Sequence, residues 1–184
     1  MRPGALRLTG GTARGAKLFS VEGPDVRPAL ARMRASVFEI LRARLEGARV
    51  VDLFAGNGTL GFEALSRGAA WCAFFDIDAR AIECVRRNAD KLRLTDRAEI
   101  VQASAHDAPR RLDAPVEVAF VDPPYALYDD PAETELIAGT VRALPGTPVV
   151  VVEHRDRHEL GDAWAGKRRT DRRRYGGTHV SFYA

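Results

Sequence analysis

The sequence is poor in cysteine, with only Cys72 and Cys84 among 184 residues. The two thiols lack zinc-site spacing and read as buried or incidental groups of a reducing compartment. Long apolar runs are missing as well. No stretch reaches the length of a membrane span, and the first residues carry no apolar run of signal-peptide length. A soluble, cytoplasmic protein is expected. There is no internal repeat and no low-complexity tract. Lysine is scarce too: 25 of the 28 basic residues are arginine, whose flat fork binds phosphate at two points and stacks on bases.

Hydrophobic residues make up 46% of the chain and charged residues 29%, a globular composition that argues against disorder. The length suits one α/β domain with a small appendage. The net charge of +3 is unevenly spread. Residues 1–49 hold ten Lys/Arg against four Asp/Glu, residues 50–166 twelve against twenty, and residues 167–184 six against one. If the two basic ends meet in the fold, they form one positive face suited to a nucleic-acid backbone. A solvated basic surface without a partner is the plainer alternative.

The stretch Val50-Val-Asp-Leu-Phe-Ala-Gly-Asn-Gly-Thr-Leu-Gly-Phe-Glu-Ala-Leu-Ser-Arg-Gly organises the rest. It reads as a buried strand over residues 49–54, a glycine turn over 55–58 and a helix start. Gly56 and Gly58 let the backbone turn sharply near a ligand. The helix then points free N–H groups at the turn, which suits an anionic group. Gly61 permits close packing of helix on strand. Gly56, Gly58 and Gly61 also fit the dinucleotide spacing G-x-G-x-x-G. Asp52 separates the readings, because its carboxylate would repel a pyrophosphate at this turn. S-adenosylmethionine (SAM) instead brings an ammonium for the carboxylate and a carboxylate for the helix N-terminus. A turn that holds no nucleotide is the bland alternative.

The remaining elements are expected in alternation. Residues 6–11 and 16–19 look like a hairpin decorated by Arg7, Arg14 and Lys17. A helix over residues 30–45 shows an apolar stripe of Leu30, Met33, Val37, Leu41 and Leu45. Arg32 and Arg34 would lie mostly off that stripe, near a helix start whose dipole does not favour cations. A phosphate partner or plain solvation would explain them. The apolar run from Trp71 ends at Asp76, where an acidic residue can hold a ribose diol. Asp78 is more simply the N-cap of a helix over residues 79–92. A third strand over 98–102 leads to Ser104, which can bind an adenine edge or cap the next turn. His106 has no evident catalytic role. A fourth strand over 116–121 runs into Asp122-Pro-Pro-Tyr. A stiff loop with acceptors at the Asp122 side chain and Pro123 carbonyl can hold both N–H groups of an exocyclic base amine. Tyr125 offers a ring for stacking. Pro-Pro is also common in plain turns, and only its place after Asp52, Gly58 and Asp76 makes chemistry the better reading. Residues 128–135 look polar and flexible, a lid or a substrate-contacting loop, followed by a helix to 143 and a strand over 148–153. Residues 167–174 and 180–183 read as antiparallel strands around Gly176-Gly177.

The chain resembles the RsmD family of bacterial methyltransferases, which act on a guanine N2 of 16S ribosomal RNA. The likeness rests on Leu8-Thr-Gly-Gly-Thr-Ala-Arg-Gly, Arg27-Pro28, Arg32-Met-Arg34, the stretch opening at Asp52, Asp122-Pro-Pro-Tyr and Tyr175-Gly-Gly-Thr. It implies a Rossmann-like class I SAM-dependent methyltransferase fold: α/β, with a mostly parallel seven-stranded sheet ending in an antiparallel hairpin. Residues 1–28 would be a basic β-hairpin extension that contacts RNA, and residues 29–184 the methyltransferase domain. The donor set implied is Asp52, Phe54, Ala55, Gly56, Gly58, Asp76, Ile77, Ser104 and Ala105. The target amine would meet Asp122, Pro123, Pro124 and Tyr125. RNA would lie on Arg7, Arg14, Lys17, Arg27, Arg32 and Arg34. The expected partner is 16S rRNA or an assembling small subunit, with a monomeric protein and no metal, since a sulfonium already supplies the electrophile. The chain departs from the family pattern at Ala29, Ala31, Ala35 and Ser104. Three rivals share parts of the pattern: a DNA amino-methyltransferase, a non-catalytic RNA-binding protein with a vestigial fold, and a dehydrogenase. A DNA enzyme usually carries a larger target-recognition region than 184 residues leave room for.

Overall fold

The computed structural model describes residues 3–21, 28–158 and 160–184. Strands β1 (Pro3–Arg7) and β2 (Lys17–Phe19) pair antiparallel as a separate small sheet. Helix α1 (Pro28–Ile40) leads to the central sheet. There the chain alternates β3 (Arg49–Asp52), α2 (Thr59–Ser66), β4 (Trp71–Asp76), α3 (Ala79–Leu92), β5 (Ala98–Gln102), α4 (Ala108–Arg111), β6 (Val118–Val121), α5 (Pro131–Arg142) and β7 (Val149–Arg155). It closes with β8 (Ala163–Trp164), β9 (Lys167–Tyr175) and β10 (Thr178–Tyr183). The strand order is β5-β4-β3-β6-β7-β10-β9-β8. The first five strands are parallel and the last three antiparallel. Seven strands match the expectation; the eighth, β8, is a two-residue addition on the outer edge.

The apolar strands are buried on both faces because side chains alternate across a sheet. Val50, Phe74, Val118, Phe120 and Val151 face one core, with α1, α2 and α3. Val51, Phe75, Ala119, Val121 and Val152 face the other, with α4 and α5. On the first face Phe62 packs on Phe74 at 4.7 Å between ring centroids. Gly61 makes that approach possible: a Cβ there would lie 2.2 Å from Phe74 Cε1 and 2.7 Å from Cys72 Sγ.

The hairpin is built into this core. Leu8 and Leu18 are buried in the same cluster as α1 and α2. Between the two strands the chain docks on the last turn of α2. Glu63, fully buried, accepts from Thr9 N at 2.8 Å and Thr9 Oγ1 at 2.6 Å, and pairs with Arg67 Nε at 2.8 Å. Ser66 Oγ donates to Gly10 O at 2.7 Å and accepts from Ala13 N at 2.9 Å. A buried carboxylate is tolerated only with such a shell. Asn88 of α3 accepts from Phe19 N at 2.7 Å and donates to Asn57 O at 2.9 Å, so it fastens β2 and the glycine turn together.

Three local expectations need correction. The first strand ends at Arg7 rather than running through residue 11, because residues 9–13 spend their polar groups on α2. The helix expected over 30–45 stops at Ile40 and gives way to a tighter turn, Arg42–Arg44, which still buries Leu41 and Leu45. Residues 128–135 are not an irregular lid. A 3-10 turn spans Tyr125–Asp129, and Asp130 caps α5 through Ala132 N at 2.8 Å, with Pro131 opening the helix. Asp before Pro is a helix-start signal.

Candidate active site

The strand order reverses between β3 and β6, and open α/β sheets bind ligands in the crevice outside the carboxyl ends at such a point. A cavity of about 830 Å3 lies there, within the usual range for small-molecule sites. It gathers residues from the ends of five strands: Asp52 to Gly56 after β3, Asp76 and Ile77 after β4, Ser104 and Ala105 after β5, residues 122–125 after β6, and Glu153 of β7. Every candidate donor and amine residue lines it except Gly58. Gly58 is the left-handed N-cap of α2, with φ 77°, and acts on the turn rather than on the space.

The β3 end carries a buried, strongly perturbed carboxyl. Asp52 is 1% exposed; its Oδ2 accepts from Gly61 N at 3.1 Å, and its Oδ1 has no partner among the described residues. Burial pushes its carboxyl up to about 7, the Gly61 N–H works against that shift, and the charge of Asp76 adds to it. Asp76 braces the turn, accepting from Gly56 N at 2.8 Å and Asp78 N at 2.9 Å. A carboxylate has about four acceptor sites, so both oxygens keep capacity for a ligand. A Cβ built on Gly56 would meet nothing within 4 Å, so the turn faces open space. Ile77 and Leu136 line the cavity and are 74% and 47% exposed, two of three exposed large apolar side chains among the described residues. They offer apolar surface to a flat ring.

Asp78 caps α3 through Arg80 N at 2.8 Å, which leaves the cavity-facing place to Asp76. Ser104 caps the turn Ala105–Asp107 through His106 N at 3.3 Å and also lines the cavity, so both of its expected uses fit. His106 Nδ1 lies 2.6 Å from Thr140 Oγ1 and ties that turn to α5.

At the other end, Pro123 is buried and Asp122 half-buried, on a loop extending from β6. Tyr125 Oη donates to Glu153 Oε1 at 2.6 Å and lies 3.4 Å from Thr178 Oγ1, so the Tyr175-Gly-Gly-Thr segment reaches the site. Arg155 stacks on one face of the Tyr125 ring, 4.5 Å from its centroid. Burial, then the charges of Glu153 and Asp52, push the Asp122 carboxyl well above the ordinary range. Burial and the bond to Glu153 push the Tyr125 phenol up as well. Asp129 pairs with His158 at 2.7 Å and Arg157 at 2.9 Å, which pins the loop to the segment after β7.

The arginine expectations divide. Arg7, Arg14, Lys17 and Arg32 are exposed. Arg34 is not on that surface: it is 7% exposed and lines the cavity, because the turns of α1 carry it inward beside Met33. Arg27 lies outside the described residues. Glu153 was not among the expected site residues. Its place depends on β7 lying beside β6 with Val121 opposite Val152, a register that local sequence does not reveal.

The sheet order, the glycine turn and the acidic strand ends together define a class I SAM-dependent methyltransferase fold. Asp52, Gly56, Asp76 and the apolar rim fit SAM, the methyl donor of that class, by charge and by space. The chain belongs to the family described as Conserved hypothetical protein 95, whose model matches residues 6–184. The likeness to RsmD is therefore borne out. A Bacillus subtilis (strain 168) protein titled "Putative rRNA methyltransferase YlbH" is 34% identical, over 97% of this chain and 98% of that protein. The Escherichia coli (strain K12) protein titled "Ribosomal RNA small subunit methyltransferase D" is 34% identical over 122 residues, 66% of this chain and 61% of that protein. A solved structure titled "Putative methyltransferase yhhF from Escherichia coli" superposes with a TM-score of 0.82 at 27% identity, over 97% of this chain and 96% of that one. Among the described residues no helix is long and apolar enough to cross a membrane, and no group of three or more His, Cys, Asp or Glu is placed to hold a metal ion.

Proposed function

We propose that this protein methylates the exocyclic N2 of a guanine in 16S ribosomal RNA, during assembly of the small subunit. One observation carries the reading: Asp52, Asp76 and Asp122 open onto a single cavity. The names of the Bacillus and E. coli relatives support RNA as the substrate.

In this reading Asp52 Oδ1 takes the ammonium of SAM, the turn at Gly56 and the start of α2 take its carboxylate, and Asp76 takes the ribose. Ile77, Ser104 and Ala105 flank the adenine. SAM supplies a methyl group already activated by a sulfonium. The protein prepares the acceptor. The lone pair of a base amine is delocalised into the ring and is a poor nucleophile. Asp122 and the Pro123 carbonyl accept its two N–H groups, which favours a pyramidal nitrogen with its lone pair directed at the donor. As the new N–C bond forms and the S–C bond breaks, the nitrogen becomes cationic. Its surplus proton leaves to Asp122 or water. The base must leave its stack to reach this loop. It can stack on the face of Tyr125 opposite Arg155. Arg7, Arg14, Lys17 and Arg32 hold the RNA backbone, whose phosphates dominate affinity.

The test is to incubate the protein with methyl-labelled SAM and naked 16S RNA, small subunits from cells lacking the gene, and DNA in parallel. Label mapped to N2-methylguanosine of 16S RNA is the expected result. Label in DNA, in another base, or in nothing would overturn the reading.

A further inference from the structure

Of the charged side chains that line the cavity, Glu133, Glu153 and Arg34 have no part in the steps of methyl transfer. Glu153 and Arg34 both line it, together with Asp122. Pairing of β6 with β7 runs parallel up to Val121 and Val152, so Asp122, the first residue past β6, follows on beside Glu153, which β7 still holds against Val180 of β10. Tyr125 fixes the Glu153 carboxylate through its 2.6 Å hydrogen bond. The Asp122 carboxylate feels the charges of Glu153 and Asp52, while the Arg34 guanidinium feels those of Glu63 and Glu153. The Glu153 charge thus acts both on the carboxylate that meets the amine and on a buried cation, and all three side chains line the same space. Arg34 Nη2 donates to Arg7 O at 3.2 Å, but its Nε has no partner among the described residues, although the residue is only 7% exposed. A buried donor left without an acceptor calls for one.

A second carboxylate beside the amine holder constrains the base. In adenine and cytosine the exocyclic amine sits next to a ring nitrogen that accepts. Such a lone pair would face the Glu153 carboxylate and be repelled. In guanine the amine lies between N3, an acceptor, and N1–H, a donor, and beyond N1–H stands O6, an acceptor, so one side of the amine can face a carboxylate. The groups N2, N1–H and O6 call for two acceptors and a donor, which Asp122, Glu153 and Arg34 supply in one cavity.

We propose that Glu153 and Arg34 read the base: the Glu153 carboxylate accepts guanine N1–H beside the amine held by residues 122–125, and Arg34 Nε donates to O6. This rests on the reading that guanine N2 is the target. Two charged groups would then select guanine without touching the donor end of the cavity. Sites built on buried hydrogen bonds reject analogues that cannot complete them by up to about 10^4-fold.

The probe is 2,6-diaminopurine placed at the guanosine that the wild type modifies. It keeps the N2 amine but turns N1 into an acceptor and position 6 into a donor. The wild type should prefer guanosine by about 100-fold or more in kcat/KM. Glu153→Gln should lose about 30-fold or more on guanosine and little on diaminopurine, so that the preference falls below about tenfold. Arg34→Met should narrow the preference in the same direction. The dissociation constant of SAM should stay within about threefold in both variants, which also reports that they fold. Equal use of the two bases by the wild type would overturn the proposal. So would variants that lose activity on both bases in the same proportion, the mark of a merely structural role. Should a variant fail to bind SAM, the wild-type preference alone decides. If the wild type modifies no guanine at all, the underlying reading has failed, and that is visible before any variant is made.

Discussion

Removing the charge at Asp52 should flatten the pH dependence of stability. In the folded protein this carboxyl titrates at about 7, against an ordinary value of 3.8. The folded state keeps the proton up to that pH, whereas the unfolded chain loses it near 4. Between the two values the folded state binds more protons, so stability falls as pH rises through the window. The whole shift is equivalent to about 4 kcal/mol, of which about 3 kcal/mol falls between pH 5 and pH 8.5. Asp52→Asn keeps an oxygen for the Gly61 N–H and cannot ionise. Relative to the wild type it should therefore gain about 3 kcal/mol in unfolding free energy across that interval. Urea unfolding followed by circular dichroism, at half-unit pH steps and without SAM, measures both curves. Parallel curves would refute the reasoning, because they would mean that Asp52 carries no buried charge at pH 8.5. The same titration predicts a binding signature. An ammonium at Oδ1 selects the ionised carboxylate, so SAM binding at pH 6.5 should release about 0.8 of a proton. Calorimetry in buffers of different ionisation heat reads that number.

Other perturbations separate the two ends of the cavity. Asp122→Ala should abolish methyl transfer while the SAM dissociation constant changes by less than about threefold, and equal loss of both would argue against its role at the amine. Asp76→Ala should weaken SAM by about 10- to 100-fold, and Asp76→Asn, which keeps an oxygen for Gly56 N, by less; an unchanged dissociation constant would reject the ribose contact. Because burial and then the charge of Glu153 hold the Asp122 carboxyl up, the acid limb of kcat/KM should lie well above pH 4, the ordinary carboxylate range. A limb at pH 4 would show that neither burial nor the Glu153 charge acts on Asp122 during catalysis. Glu63→Ala should cost about 3 kcal/mol or more in unfolding free energy, since it strips Thr9 and Arg67 of a buried partner. A loss under about 1 kcal/mol would mean the hairpin is held by Leu8 and Leu18 alone.

The glycine turn was legible because its geometry is written within short distances of chain. Asp52, Gly56 and Gly61 lie within ten residues, and a strand with its following helix brings them to one turn. Asp78 likewise declared itself as a cap, since capping is a contact with the next two residues. What depends on distant partners was not legible. Thr9 and Glu63 are 54 residues apart, and nothing in the Thr-Gly-Gly-Thr run names its socket on α2. That run looked like strand and basic arm, and part of it is a clasp. Arg34 read as a surface cation because a stripe of apolar residues does not say how wide the buried sector is. Glu153 read as the last residue of a strand until the neighbouring strand set Asp122 beside it. The Asp130-Pro131 helix start was present in the sequence and was obscured by the polar residues around it.

In the proposed reaction one cavity serves both the methyl donor and the base amine. A crystal structure with S-adenosylhomocysteine, the demethylated donor, tests this most directly. The account predicts its ammonium at Asp52 Oδ1, its ribose at Asp76 and its sulfur directed at residues 122–125. A ligand seated elsewhere, or a sulfur turned away from Asp122, would contradict it.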